Sequence, residues 1–478
     1  MTDVDYLIVG AGAMGMAFAD TILTESNASV ALVDRRARPG GHWNDAYPHV
    51  RLHQPSAFYG VNSRVLGTEA VDGHGWNAGL SELASGTEVV AYFDQVLRQQ
   101  FLPSGRARFF PMTEHVGDGI LRSTVTGDET HITARTIVDA GYMNVTVPST
   151  RPPGYEVDPA ATCVPPNELA RAGVVTGGDV VIVGGGKTAM DACLFLLEHG
   201  LDPDHITWIR PRDQWCLNRA HIQPGTGFLP TVLDGQARQQ RAIVESTSID
   251  DLFLRLEAAE VLLRFDPDVA PTMYRCATVT RREIEAMRRV DDVVRLGHVR
   301  RIGSDEIVLD EGTIPTSPQT LHVDCTADGL ERRPVVPVFG ENTITLQTVR
   351  FCQQVFSAAF IAHVEVAYDD QAHKNELARV IPHPDTHLDW IRTTLEHGRN
   401  TARWQEDADL FAWLQEARLD GFTRDPTPQQ QAVVAEHAAL LESVMTDAPA
   451  AAARLAHYWS RIDPDGRPVT ETDDDQAQ

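Results

Sequence analysis

Residues 5–34, DYLIVGAGAMGMAFADTILTESNASVALVD, decide the fold. The apolar run Tyr6–Val9 reads as a buried parallel strand, followed at once by Gly10-Ala11-Gly12-Ala13-Met14-Gly15, a helical segment and a second apolar run, Val30–Val33. Each glycine has its own task in a dinucleotide-binding turn. Gly10 permits the tight strand-to-helix turn, Gly12 lets a pyrophosphate touch the backbone, and Gly15 lets the helix pack closely on the strand. The helix N-terminus offers unpaired N–H groups and a positive dipole end to phosphates. Asp34 falls 24 residues after Gly10, where a carboxylate accepts hydrogen bonds from ribose hydroxyls. A glycine-rich turn alone is a weak signal. Strand, glycines, helix, strand and acid in order are a strong one.

The same pattern recurs 174 residues further on. Val180–Val183 reads as a strand, Gly184-Gly185-Gly186-Lys187-Thr188-Ala189 as a GxGxxA turn, and Thr188–Glu198 as a helix stopped by Gly200. The next strand, Ile206–Ile209, ends in Arg210-Pro211-Arg212 instead of an acid. A carboxylate repels a 2′-phosphate and an arginine pairs with it, so this second site is expected to prefer NADPH to NADH. The alternative is that both arginines merely solvate a surface turn.

The totals narrow the class. At 478 residues the chain has room for two or three domains. A formal charge of −26 argues against a nucleic-acid or anionic-membrane partner. Cys163, Cys193, Cys216, Cys276, Cys325 and Cys352 are scattered without a CxxC pair, which speaks against a disulfide framework, a zinc ribbon or a dithiol motif. No apolar run approaches membrane-spanning length, and the acidic start enters the first strand directly. A reduced, cytoplasmic protein without a signal peptide is expected.

The rest of the chain falls into blocks. Residues 44–63 are rich in turn formers and aromatics and read as a long irregular loop; such loops are usually functional. Gly86–Leu97 reads as a helix, and 107–112, 120–125 and 131–138 as strands ending in Asp139-Ala140-Gly141. The expected division is a first FAD-binding part over 1–150 and an NADPH-binding domain over 165–325, with a helical insertion at about 213–299. A second FAD part over 326–385 follows, then helices over 386–462 and a disordered acidic tail over 463–478. Within the insertion, 249–265 and 280–289 are the clearest helices; strands are expected again at 298–302, 306–309, 320–323 and 343–349, and a helix at 351–364. The fold class is α/β: two Rossmann-like dinucleotide-binding domains with a helical insertion and a helical C-terminal region.

Gly40-Gly41-His42-Trp43 followed by Tyr47-Pro48-His49-Val50-Arg51-Leu52 resembles the GGxW…YPxxR stretch of the flavin-containing monooxygenases and their N-hydroxylating and Baeyer–Villiger relatives. The resemblance spans roughly residues 5–365. Asp139-Ala140-Gly141 and Ala327-Asp328-Gly329 stand where that family has its two alanine-threonine-glycine crossovers, and Thr188 takes the place of a frequent serine. The family's interdomain fingerprint, FxGxxxHxxxW or similar, is not present as written, and Gly340-Glu341-Asn342 stands where a Gly-Asp pair is usual.

The resemblance implies FAD at the first site and NADPH at the second, with a small-molecule substrate and O2 as partners. It implies hydride transfer to flavin, uptake of oxygen by the reduced flavin, and transfer of one oxygen atom through a flavin C4a-peroxide. The cofactor-binding residues expected are Gly10, Gly12, Gly15, Asp34, Arg35, Gly41, His42, Trp43, Arg51, Gly184, Gly186, Thr188, Arg210 and Arg212. His53 and Gln54 fall where the family places a polar residue by the reactive flavin edge. Trp43 reads equally as a core indole, and Arg51 as a surface ion pair. No metal site is expected from His42, His49 and His53, because no helix aligns them. An NADPH-dependent FAD reductase or oxidase, and a redox-inactive flavin-binding sensor, remain alternatives, and the oligomeric state is open.

Overall fold

The computed structural model describes residues 2–170, 178–327, 329–421 and 428–462. Asp328 and the acidic tail with its expected disorder lie outside them. The chain opens with β1 (Thr2–Val9), α1 (Ala13–Glu25) and β2 (Val30–Val33). After a 52-residue connection come α2 (Gly86–Val96), β3 (Ala107–Phe110), β4 (Thr113–His115), β5 (Ile120–Ser123) and β6 (Glu129–Asp139). β1, β2 and β3 run parallel, β6 lies parallel to β1 on its other side, and β5 and β4 continue antiparallel from β6. Val30–Val33 is buried at every position, the continuous apolar run expected of a parallel strand covered on both faces.

The second unit begins with β7 (Glu156–Val157) and β8 (Thr162–Val164), then β9 (Val180–Val183), α3 (Lys187–Glu198) and β10 (Ile206–Ile209). The insertion carries β11 (Cys216–Asn218), α4 (Leu229–Glu245), α5 (Ile249–Ala258), β12 (Leu262–Leu263), β13 (Thr278–Val279) and α6 (Arg281–Met287). It is therefore not wholly helical. Leu262-Leu263 leaves the helix expected to run to residue 265 and pairs with β11, forming with β13 a small three-stranded sheet.

The chain returns through β14 (Val293–Val294), β15 (Val299–Ile302), β16 (Glu306–Leu309), β17 (Gly312–Pro315) and β18 (Leu321–Asp324). The order β14-β10-β9-β18-β8 is a five-stranded, all-parallel sheet, and β17-β16-β15-β7 is a separate four-stranded one. β19 (Thr343–Thr345) then rejoins the first sheet beside β6, and α7 (Gln354–Ala367) packs against α1. The first domain is thus built from two separated pieces of chain. α8 (Gln371–Leu377), α9 (Leu388–Gln405), α10 (Ala408–Glu416), α11 (Pro428–Glu436) and α12 (Ala438–Ser460) complete the fold. Among the described residues no helix is long and apolar enough to cross a membrane.

The expectation of unpaired cysteines is corrected at one place. Cys276, before β13, and Cys352, before α7, form a disulfide with Cα atoms 6.5 Å apart. It ties the insertion to the second piece of the first domain. A separation of 76 residues carries no spacing signal, so only the fold brings the pair together.

One buried guanidinium joins the two units. Arg219 donates from Nε to the carbonyl of His53, from Nη1 to Asn77 and from Nη2 to the carbonyl of Thr278, and pairs with the Glu283 carboxylate at 3.0 Å. His53 and Asn77 lie in the long connection of the first domain, Thr278 and Glu283 in the insertion. Removing one member of such a buried pair strands the other charge, at about 3–5 kcal/mol. Arg219→Ala should lower unfolding free energy by that amount in urea titration and raise hydrogen exchange through residues 53–85. Unchanged exchange there would show that the loop is held by other contacts.

Candidate functional site

The glycine turn of the first sheet is closed by sterics. Gly10 has φ 106°, a left-handed value that a side chain would oppose. A Cβ on Gly15 would stand 2.0 Å from the Gly10 carbonyl oxygen, so only glycine allows α1 to lie this close to β1. A second glycine pair meets the first. The Gly40 N–H donates to the Ala11 carbonyl at 2.8 Å, and a Cβ on Gly41 would come within 2.9 Å of the Gly12 Cα. A cavity of about 380 Å3 opens at the carboxyl ends of β1 and β2, lined by Gly10, Gly12, Asp34, Arg35, Gly41 and His42 among others. These six are the first-site residues that the sequence singled out and the fold assembles.

Asp34 is buried and already engaged: Oδ2 accepts from the Ala11 N–H at 2.8 Å and Oδ1 from the Arg36 N–H at 2.8 Å. It therefore braces the glycine turn as well as facing the cavity. Arg36 in turn pairs with Asp45 at 2.5 Å, fixing the short helical turn Gly41–Asp45. Sequence reasoning passed over Thr113, Glu114, His115 and Gln354, which also line this cavity. They arrive from β4 and α7 and carry no motif.

Four expected residues lie elsewhere. Trp43 donates its indole N–H to Tyr59 at 2.8 Å and packs against the first domain's core, the core-indole alternative. Arg51 is exposed and donates to the Leu83 carbonyl, so it is a surface residue and does not reach this cavity. His53 accepts from the Thr278 N–H through Nδ1 at 3.1 Å; it clasps the insertion instead of facing the first cavity. Gln54 is half-buried beside it and likewise absent from that cavity's wall.

A second cavity, about 580 Å3, lies at the carboxyl ends of β9, β10 and β18, where open parallel sheets bind ligands. Gly184 (φ 128°), Pro211 and Thr326 line it, with Arg151, His298 and Arg300. The arginine pair expected there is displaced. Arg210 is only 4% exposed, with its guanidinium 4.8 Å from the ring centres of both Trp208 and Phe265 and 3.4 Å from Asp213. Arg212 turns to Asp385, donating at 2.8 and 3.2 Å. Neither lines the cavity. Gly186 leaves open space on its Cβ side, whereas Thr188 meets Tyr47, whose hydroxyl donates to Asp191 at 2.7 Å. The loop of the first domain thus covers the start of α3.

Three imidazoles in this loop are held neutral. Burial, reinforced by Arg36, lowers His42 to about 4; burial lowers His49 to about 4, against Asp191. Burial together with Lys187 and Arg219 lowers His53 to about 3. His49 stacks on Phe195 of α3, ring centres 4.3 Å apart.

Together these features define a dinucleotide-binding α/β protein with two Rossmann units. Residues 8–62 match the NAD(P)-binding Rossmann-like domain family. The chain belongs to one family with the uncharacterized proteins Rv2000 of Mycobacterium tuberculosis H37Rv and Mb2023 of Mycobacterium bovis. To each it is 55% identical over 419 residues, 87% of this chain and 78% of the relative. Among solved structures, an open crystal structure of cyclohexanone monooxygenase matches with TM-score 0.49 and 14% identity, over 92% of this chain and 98% of that one. A flavin-containing monooxygenase from Stenotrophomonas maltophilia matches with TM-score 0.40 and 16% identity, over 74% and 88%.

Two experiments follow from the geometry. Gly15→Ala should cost about 1–3 kcal/mol of stability from overpacking against backbone. Gly12→Ala, whose Cβ would find its nearest neighbour at 3.6 Å, should fold normally and lose FAD uptake. Equal melting temperatures for the two variants would contradict this assignment. The histidines give a pH signature. Their folded pKa values lie below the ordinary 6.5, so the stabilisation is complete above pH 6.5 and is lost as pH falls toward 4 and 3. Each contributes a slope of about 1.4 kcal/mol per pH unit in that window. His53→Asn, whose amide oxygen can accept from Thr278, should flatten stability against pH by about one proton between pH 6 and 4.

Proposed function

We propose that this protein is an NADPH- and FAD-dependent monooxygenase that transfers one oxygen atom from O2 to a small molecule. The observation that carries the reading is that Asn144 lines both cavities. Two dinucleotide sites separated by one residue are what electron transfer between a nicotinamide and a flavin requires. Bound FAD would supply the chemistry, accepting hydride from NADPH and activating O2.

The chain's own residues bind, orient and exclude water. Gly10, Gly12 and Gly41 bring backbone against the pyrophosphate, and the N-terminus of α1 faces it. Asp34 and Arg35 meet the adenosine end. Asn144 adopts φ 39° and donates to Glu331 at 2.5 Å, so the wall between the cavities is fixed from the second piece of the first domain. His42, neutral and stacked on Trp43 with ring centres 5.2 Å apart, puts an uncharged polar edge at the first cavity. For the second nucleotide, Arg300, exposed and paired with Asp310, would take the place of Arg210 and Arg212 as the partner of the 2′-phosphate. It lies on β15, which follows edge strand β14, whereas Arg151 donates to Thr326 at the end of β18.

The alternative, an NADPH-dependent FAD reductase or oxidase, rests on one observation. Cys352 of the disulfide stands two residues from Gln354, which lines the first cavity.

Rapid mixing separates the readings. FAD-loaded protein is reduced with NADPH and then mixed with oxygenated buffer. An absorbance distinct from oxidised and reduced flavin, lasting seconds, supports oxygenation. Direct return to oxidised flavin with release of hydrogen peroxide favours the alternative. Arg300→Ala should weaken NADPH about tenfold, the value of about one charge-assisted contact, and leave NADH unchanged. An equal loss for both nucleotides would remove Arg300 from that role.

A further inference from the structure

A third cavity, about 520 Å3, has no part in either nucleotide site. It meets the flavin cavity at Met143 and the second cavity at Glu331, each of which lines two of the three spaces. Its remaining wall comes from the segments 332–335, 347–348 and 380–392 and from the end of α12.

The chemistry of that wall is unusual for an acidic chain. Three guanidiniums converge on the single carboxylate of Asp385; of the three, Arg332 lines the cavity, and Arg212 and Arg275 stand behind Asp385. Arg212 reaches it at 2.8 Å, Arg275 at 2.6 Å and Arg332 at 3.0 Å. Asp385 is held well below the usual carboxylate range, its burial outweighed by hydrogen bonds and charge from Arg212 and Arg275. It is thus a permanent anion, and it is one partner for three cations. The other acids of the wall are already matched: Glu331 with Arg333 at 2.9 Å, and Asp389 with Arg392 at 2.7 Å.

Arg332 is the informative residue. Its side chain is 63% exposed and its contact with Asp385 is made through Nη1, one corner of a five-donor fork. Val380, Pro382, Trp459 and Ile462 also line the cavity, with the Arg392 guanidinium 5.6 Å from the Trp459 ring centre. Arg332 at the edge of the net-positive Asp385 cluster, with apolar side chains in the same lining, suits a molecule with one oxyanion and a hydrocarbon body.

We infer that this cavity is the substrate site and that it takes a small organic carboxylate, with Arg332 as the residue that engages its anionic group. The inference rests on the monooxygenase reading for the word substrate, but not for binding. Asp385 anchors the arginines in the absence of ligand. An oxyanion on the other nucleotide, the NADPH 2′-phosphate, is the competing source of the same chemistry.

The test is equilibrium binding on the full-length protein by calorimetry, which requires no turnover and so remains readable if the protein never oxygenates anything. The probes are octanoate and phenylacetate, each against its uncharged amide. The acids should bind at least tenfold more tightly than the amides. Arg332→Ala should erase that difference while leaving amide binding and melting temperature unchanged. Arg281→Ala removes an equally exposed charge paired with Glu260 outside this wall, and should leave acid binding intact. Acid and amide binding alike, or acid binding undiminished in Arg332→Ala, would overturn the inference. Loss of NADPH but not NADH affinity in Arg332→Ala, with acid binding retained, would assign the arginines to the nucleotide and overturn it equally. Acid-selective binding in a protein that shows no oxygen transfer would keep the site and reject the monooxygenase.

Discussion

The architecture depends on a buried charge, Arg219, which is fully enclosed and satisfied on every side by the two domains it joins. Two Rossmann units on one chain have no intrinsic reason to hold a fixed distance. Here the long connection after β2 is drawn across to the insertion by this guanidinium, and the neighbouring Thr278 N–H donates in the same sense, to His53 Nδ1. A charge this deep is tolerated only where every donor is met. It shares the task of holding the two units together with the Cys276–Cys352 disulfide and the Tyr47–Asp191 hydrogen bond.

The loop held by that contact also shapes the first cofactor site. Gly40 and Gly41 touch the glycine turn through backbone, so the turn's far wall belongs to a segment anchored in the other domain. Arg418 reinforces the same loop from the C-terminal helices, donating to the carbonyls of Ala57 and Tyr59. Position of the first cavity and spacing of the two domains are consequently one problem with one solution. Substitutions at either end of the loop will be felt at both.

Much of the fold was legible, because parallel strands write themselves as apolar runs. Val30–Val33, Val180–Val183 and Ile206–Ile209 have the boundaries that the apolar runs assign. The first glycine turn was equally clear, since sterics leave no other residue at Gly15. What stayed hidden depends on contacts between distant segments. Arg210 and Arg212 occupy the positions where arginines contact a 2′-phosphate, yet the sequence does not reveal that Trp208 and Phe265 form a slot for one and that Asp385 recruits the other. Arg300, which lines the second cavity, sits on an ordinary strand paired with Asp310, where nothing local distinguishes it from a solvated residue. The Cys276–Cys352 pair and the Asp385 cluster are invisible for the same reason.

The three cavities meet around one stretch, Tyr142-Met143-Asn144, that follows β6. A strand end is a rigid place to put a shared wall, because β6 is pinned by β1 on one side and by β19 on the other. Asn144 must adopt a left-handed conformation to leave the strand, a geometry that asparagine tolerates better than most residues. Its amide is then captured by Glu331, and the Glu331 N–H donates to the carbonyl of Met143 at 3.1 Å. Two crossing hydrogen bonds between chain segments 187 residues apart fix the partition. The partition between the first and second cavities thus rests on a strand end and on these two hydrogen bonds, not on a packed core.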